Sequence, residues 1–130
     1  MKKIILLLTF IVISSLSFSQ SMIFCEKVSQ PDGKPEKPSH IFRISRDGGF
    51  FQLLAVLDKP VNTAEVKIDI YQVDEKGKEN FDATVSVTVQ PDWVWFSKQV
   101  NFFKGGDYTL YAYSAEDKLL CTGMVKVIME

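Results

Sequence analysis

Hydrophobic and polar residues alternate with a period of two along most of this chain, and no segment sustains the 3.6-residue repeat of an amphipathic helix. The clearest case is Phe81, Ala83, Val85, Val87 and Val89, which alternate with Asp82, Thr84, Ser86, Thr88 and Gln90. A period of two places one set against a core and the other in water. Residues 64–73 repeat the pattern, with Val66, Ile68 and Ile70 on one face and Lys67, Asp69 and Tyr71 on the other. Further strands are predicted over residues 22–28, 40–45, 50–57, 93–103, 108–114 and 118–129. Turn signals separate them: Arg46-Asp47-Gly48-Gly49, Asp58-Lys59-Pro60, Pro91-Asp92 and Lys104-Gly105-Gly106-Asp107. Residues 29–38 hold Pro31, Pro35 and Pro38 and read as a loop. Seven to eight strands on short turns, with no crossover helix, predict an antiparallel β-sandwich; a small β-barrel is the alternative.

The first 19 residues have a different character. Lys2 and Lys3 precede an apolar run from Ile4 to Ile13, broken only by Thr9, and a Ser-rich stretch follows to Ser19. This is the three-part pattern of a cleavable signal peptide over residues 1–19, with the cut expected between Ser19 and Gln20. A membrane anchor needs about 20 apolar residues, roughly twice this run. Lipidation at Cys25 calls for a small preceding residue, and Phe24 is large. The expectation is therefore one domain over residues 20–130, periplasmic or secreted, with no stable membrane span after cleavage.

Composition narrows the function. Of 130 residues 46% are hydrophobic and 12% aromatic, enough to build a core rather than remain disordered. The formal net charge of −1 gives no basic field for nucleic acid. One His and two Cys exclude a zinc finger with four Cys/His ligands. The acidic stretch Asp74, Glu75, Glu79 and Asp82 is interrupted by Lys76 and Lys78, so it reads as a solvated hairpin tip rather than a calcium loop. His40 follows Ser39, but adjacent strand residues point to opposite faces. No catalytic, cofactor or metal constellation emerges, and a non-enzymatic module is expected.

The stretch Gly106-Asp107-Tyr108-Thr109-Leu110-Tyr111-Ala112-Tyr113 resembles the Gly-x-Tyr start of a late strand in immunoglobulin-like and fibronectin type III-like β-sandwiches. The resemblance implies that Tyr108 forms a tyrosine corner, its hydroxyl capping nearby backbone. Leu110 stands where antibody domains carry their second cysteine, so the antibody Cys…Trp…Cys framework is absent. The whole chain also resembles the short exported single-domain proteins common in bacteria, a likeness that implies fold and location but no activity.

Two constellations remain. In an oxidising compartment Cys25 and Cys121 read as one disulfide; the alternatives are two buried thiols or, with His40, a nucleophile. Lys126 is expected in water, which turns Cys121, Val125 and Val127 inward, and an outward Glu26 turns Cys25 and Ile23 inward. The resemblance lays the first strand along the last, which would bring the two cysteines into bridging range. Trp93 and Trp95 share one face of their strand with Ser97, Gln99 and Asn101, the wet face. Tyr111 and Tyr113 are likewise outward, opposite Tyr108, Leu110 and Ala112. If these strands pair, the four rings form a platform for another protein or a cell-surface glycan; the competing reading is packing beneath the Pro-rich loop. A second expectation is assembly through an exposed edge, with residues 118–129 as the candidate edge strand guarded only by Lys126.

Overall fold

The computed structural model describes residues 21–130; the proposed signal peptide and its cleavage site lie outside them. The strands are β1 (Ser21–Cys25), β2 (Lys27–Ser29), β3 (Lys34–Glu36), β4 (Ile41–Ile44), β5 (Gly49–Val56), β6 (Glu65–Val73), β7 (Glu79–Thr88), β8 (Trp95–Phe102), β9 (Gly106–Ser114) and β10 (Leu119–Met129). A three-stranded sheet in the order β1-β5-β8 faces a five-stranded sheet in the order β4-β10-β9-β6-β7, and β2-β3 forms a separate hairpin. Two distinct sheets make this a sandwich and not a closed barrel. All pairings are antiparallel except β4 with β10.

The core lies between the sheets and follows the alternation. Val66, Ile68 and Ile70 of β6 meet Leu110 and Ala112 of β9, and Phe96, Val100 and Phe102 of β8 close over them. Phe51 sits at the centre of an aromatic cluster, stacked on Phe42 at 4.1 Å and on Phe102 at 5.1 Å, with Phe24 edge-on at 6.0 Å. Tyr108 joins this cluster through Phe102, 4.6 Å away, and its hydroxyl donates to the Lys104 carbonyl at 2.9 Å. That bond ties the start of β9 to its own preceding turn, the geometry of a tyrosine corner.

Three expectations are corrected here. The Pro-rich loop contains the β2-β3 hairpin, which folds back over the outer face of the three-stranded sheet: Val28 packs with Cys25 and Leu54, against Ile23 and Trp95. Second, β1 is turned the other way from the sequence reading. Met22 and Phe24 enter the main core, whereas Ile23 and Cys25 face the hairpin. Third, β10 is no edge: it lies between β4 and β9. Along β10 a bulge between Leu119 and Cys121 also exchanges two side chains, burying Leu120 and exposing Leu119.

Candidate functional site

The two cysteines are free thiols, and topology explains why no bridge forms. Cys25 is on the three-stranded sheet and points away from the main core, while Cys121 is on the five-stranded sheet and points into it. Facing sheets stand about 10 Å apart, and a disulfide needs Cα atoms within about 7 Å. β1 does approach β10, but through Met22, which packs where Gly123 leaves room: a Cβ there would lie 2.9 Å from the Met22 sulfur. Burial pushes the Cys121 thiol up to about 12 and raises Cys25 as well. Both are poor nucleophiles at neutral pH.

The expected four-ring platform also divides. β8 and β9 belong to different sheets, so Trp93 and Trp95 lie on one side of the molecule and Tyr111 and Tyr113 on the other. Trp93 precedes β8 in the turn and is 42% exposed. Trp95 is half-buried beneath the hairpin, where Gly33, at φ 68°, sits against its indole. Both tryptophans line a pocket of about 540 Å³ together with Pro31, Gln30 and Asp92.

The outer face of the five-stranded sheet carries the larger aromatic surface. Tyr71 on β6 meets Phe81 on β7 edge-to-face at 5.7 Å and Tyr111 on β9 at 5.6 Å, and Tyr111 lies 6.5 Å from Tyr113. The tyrosines are half-buried by one another, and Phe81 is 62% exposed. Tyr71 and Phe81 were not among the residues singled out from sequence. Phe81 belongs by alternation to the buried face; a bulge opposite Ile70 and Tyr71 shifts the register by one residue and turns it outward beside Tyr71.

Polar groups fix this strip. The Tyr111 hydroxyl donates to the Glu79 carboxylate at 2.7 Å, which, with partial burial, pushes Tyr111 up to about 12. Tyr113 is raised mainly by desolvation. The Thr84 hydroxyl donates to Asp69 at 2.7 Å, and Lys126 pairs with Asp107 at 3.8 Å. A groove of about 980 Å³ runs beside the strip, lined by Tyr111, Glu79, Thr122, Met124, Lys126 and His40. Met124 at its wall is 68% exposed.

Among the described residues, no cluster of three or more His, Cys, Asp or Glu is placed to hold a metal ion. The acidic tip is a self-contained turn: Asp74 accepts the backbone N–H groups of Lys76 and Lys78, each at 2.9 Å. These bonds, that of Lys78 foremost, hold its carboxyl below the usual range.

Two packed sheets with a tyrosine corner at the start of a late strand define an immunoglobulin-like β-sandwich. By sequence, no family profile and no curated protein matches the chain. Among solved structures, it is similar to an immunoglobulin-like protein from Pseudomonas aeruginosa (TM-score 0.49, 13% identity, 82% of this chain and 90% of that one). It is similar also to the bacterial hydrophobin BslA (TM-score 0.48, 12% identity, 86% and 100%). A third is the CARDB domain of a Pyrococcus furiosus protein, solved with di-metal ions (TM-score 0.43, 12% identity, 86% and 93%).

Proposed function

We propose that this chain is an exported, non-enzymatic interaction module that engages a partner protein through the outer face of its five-stranded sheet. The observation that carries the reading is the strip Phe81–Tyr71–Tyr111–Tyr113, which no other element of the described chain covers. Tyrosine and phenylalanine bring large contact area at low entropic cost, the composition of interface centres. Mixed charges at Lys67, Asp69, Glu79 and Lys126 surround them, as at a polar rim. A protein is favoured over a glycan by ring orientation: Tyr71 stands 77° to Phe81 and 82° to Tyr111, which makes a ridged surface rather than a flat stacking platform. The export element rests on the N-terminal pattern of Lys2, Lys3 and the apolar run behind them. Alanine at Tyr71, Tyr113 and Phe81 together is expected to abolish co-purification of the native partner from the producing cell. Alanine at Asn101, on the opposite face, is expected to leave it unchanged.

One observation favours a second reading. The exposed Trp93 stands with Gln30 and Asp92 at the mouth of the 540 Å³ pocket, a pairing of aromatic and polar groups suited to a sugar ring. Quenching of tryptophan fluorescence by cell-surface glycan fragments, lost in Trp93→Ala, tests it.

A further inference from the structure

The two sheets end in four edge strands, and three of these are protected. β1 has five residues, and its Phe24 carbonyl is capped by the Ser39 N–H at 2.9 Å. β4 has four residues and carries Arg43. β8 carries Lys98 on the same face as Phe96 and Val100, an inward-leaning charge that discourages a neighbour. β7 has ten residues, and only its first half is guarded, by the bulge near Phe81 and the charge of Asp82. From Ala83 to Thr88 it reads Ala-Thr-Val-Ser-Val-Thr, with no charge and no proline, and no strand among the described residues covers it.

The direction of its backbone groups follows from the register. The Val89 N–H donates to the Ala64 carbonyl at 3.1 Å, and the same phase pairs Val87 with Val66 and Val85 with Ile68. In an antiparallel ladder alternate residues bond to the same neighbour. Val85 and Val87 therefore bond to β6, and the N–H and C=O groups of Thr84 and Ser86 point off the free edge.

We infer that β7 pairs antiparallel with β7 of a second copy of this chain, about a two-fold axis at Val85, joining two five-stranded sheets into one. Self-pairing fits on three counts. With Val85 opposite Val85, Thr84 meets Ser86, the two residues whose backbone groups are free. Asp82 falls opposite Thr88 of the other strand and Glu79 opposite Pro91, just past that strand's end, so no like charges oppose. On the inner face Ala83 and Val85, both only half-buried, meet Val87 and Val85 of the second copy and gain cover. An isologous contact of this kind closes at two copies and leaves no further β7 edge exposed.

Light scattering coupled to size exclusion tests the pairing on the purified protein. The expected mass is twice that of one chain, falling to one chain in Ser86→Pro with an unchanged β-sheet circular dichroism spectrum. Proline is tolerated there because the Ser86 N–H points off the free edge and makes no bond among the described residues. If that variant does not fold, the double variant Thr84→Lys, Ser86→Lys keeps both N–H groups and opposes like charges across the axis, and it is expected to be monomeric. Hydrogen exchange supplies an independent reading: the Thr84 and Ser86 amides exchange slowly in the dimer, and the amide at position 84 exchanges fast in either variant. A monomer at every concentration would overturn the inference. So would a dimer that keeps its mass in a folded variant, or one whose Thr84 and Ser86 amides exchange fast.

Discussion

The Tyr111 hydroxyl reaches both carboxylate oxygens of Glu79, at 2.9 and 2.7 Å, and so fastens the centre of β9 to the start of β7 across β6. This bond fixes one ring of the aromatic strip in place. It also gives the strip a measurable signature.

Because Glu79 holds the proton on Tyr111, the phenol is pushed up to about 12 from 10.0. A folded-state value above the unfolded one means a contribution that is complete below pH 10 and is lost as pH rises towards 12. Ultraviolet titration is expected to show Tyr111 ionising well after an ordinary tyrosine. Glu79→Ala should move that step down towards 10 and remove the matching loss of stability. An unchanged titration in Glu79→Ala would contradict the bond.

Gly33 and Trp95 lock the β2-β3 hairpin over Cys25. A Cβ at Gly33 would fall 2.4 Å from the indole, and φ of 68° is unfavourable for alanine. Gly33→Ala is therefore expected to lose about 1–3 kcal/mol and to lift the hairpin. Thiol labelling of the folded variant should then modify Cys25 quickly and Cys121 slowly, whereas the parent protein labels slowly at both. After denaturation without reductant, both thiols should titrate as free.

Tyr108→Phe removes the bond to the Lys104 carbonyl and keeps the ring against Phe102. The expected cost is about 1 kcal/mol, seen as a Tm lowered by a few degrees with an unchanged circular dichroism spectrum.

How far the chain can be read in advance depends on the range of the interaction. Alternation within a strand is local, so the buried faces of β6, β8 and β9 were legible: Ile68, Phe96, Val100, Leu110 and Ala112 all face the core. Tyr108 was legible because a corner needs only a tyrosine a few residues beyond a turn. Strand neighbours are not local. Nothing in the pattern of β10 says that β4 will pair with it in parallel, and so its position inside the sheet was hidden. Nor does the pattern say that β8 and β9 lie in opposite sheets, which separates Trp95 from Tyr113.

Cys25 was turned the wrong way for a related reason. β1 is only five residues long and apolar on both faces, since the hairpin covers Ile23 and Cys25 while the core takes Met22 and Phe24. Alternation cannot choose between two buried faces. Bulges account for the rest: one on β7 turns Phe81 outward, and another on β10 exchanges the faces of Leu119 and Leu120. The aromatic strip was thus half visible, through Tyr111 and Tyr113, and was completed by a bulge.

The most direct test of the account is photo-crosslinking in the producing cell from single positions on the two outer faces. A photoreactive phenylalanine analogue at Tyr113 or Met124, on the five-stranded sheet and away from β7, is expected to give one discrete protein adduct that disappears when Tyr71 and Phe81 are changed to alanine. The same analogue at Asn101, on the three-stranded sheet, is expected to give none. No adduct from Tyr113 and Met124, or an equal adduct from Asn101, would contradict a partner-binding face on the five-stranded sheet.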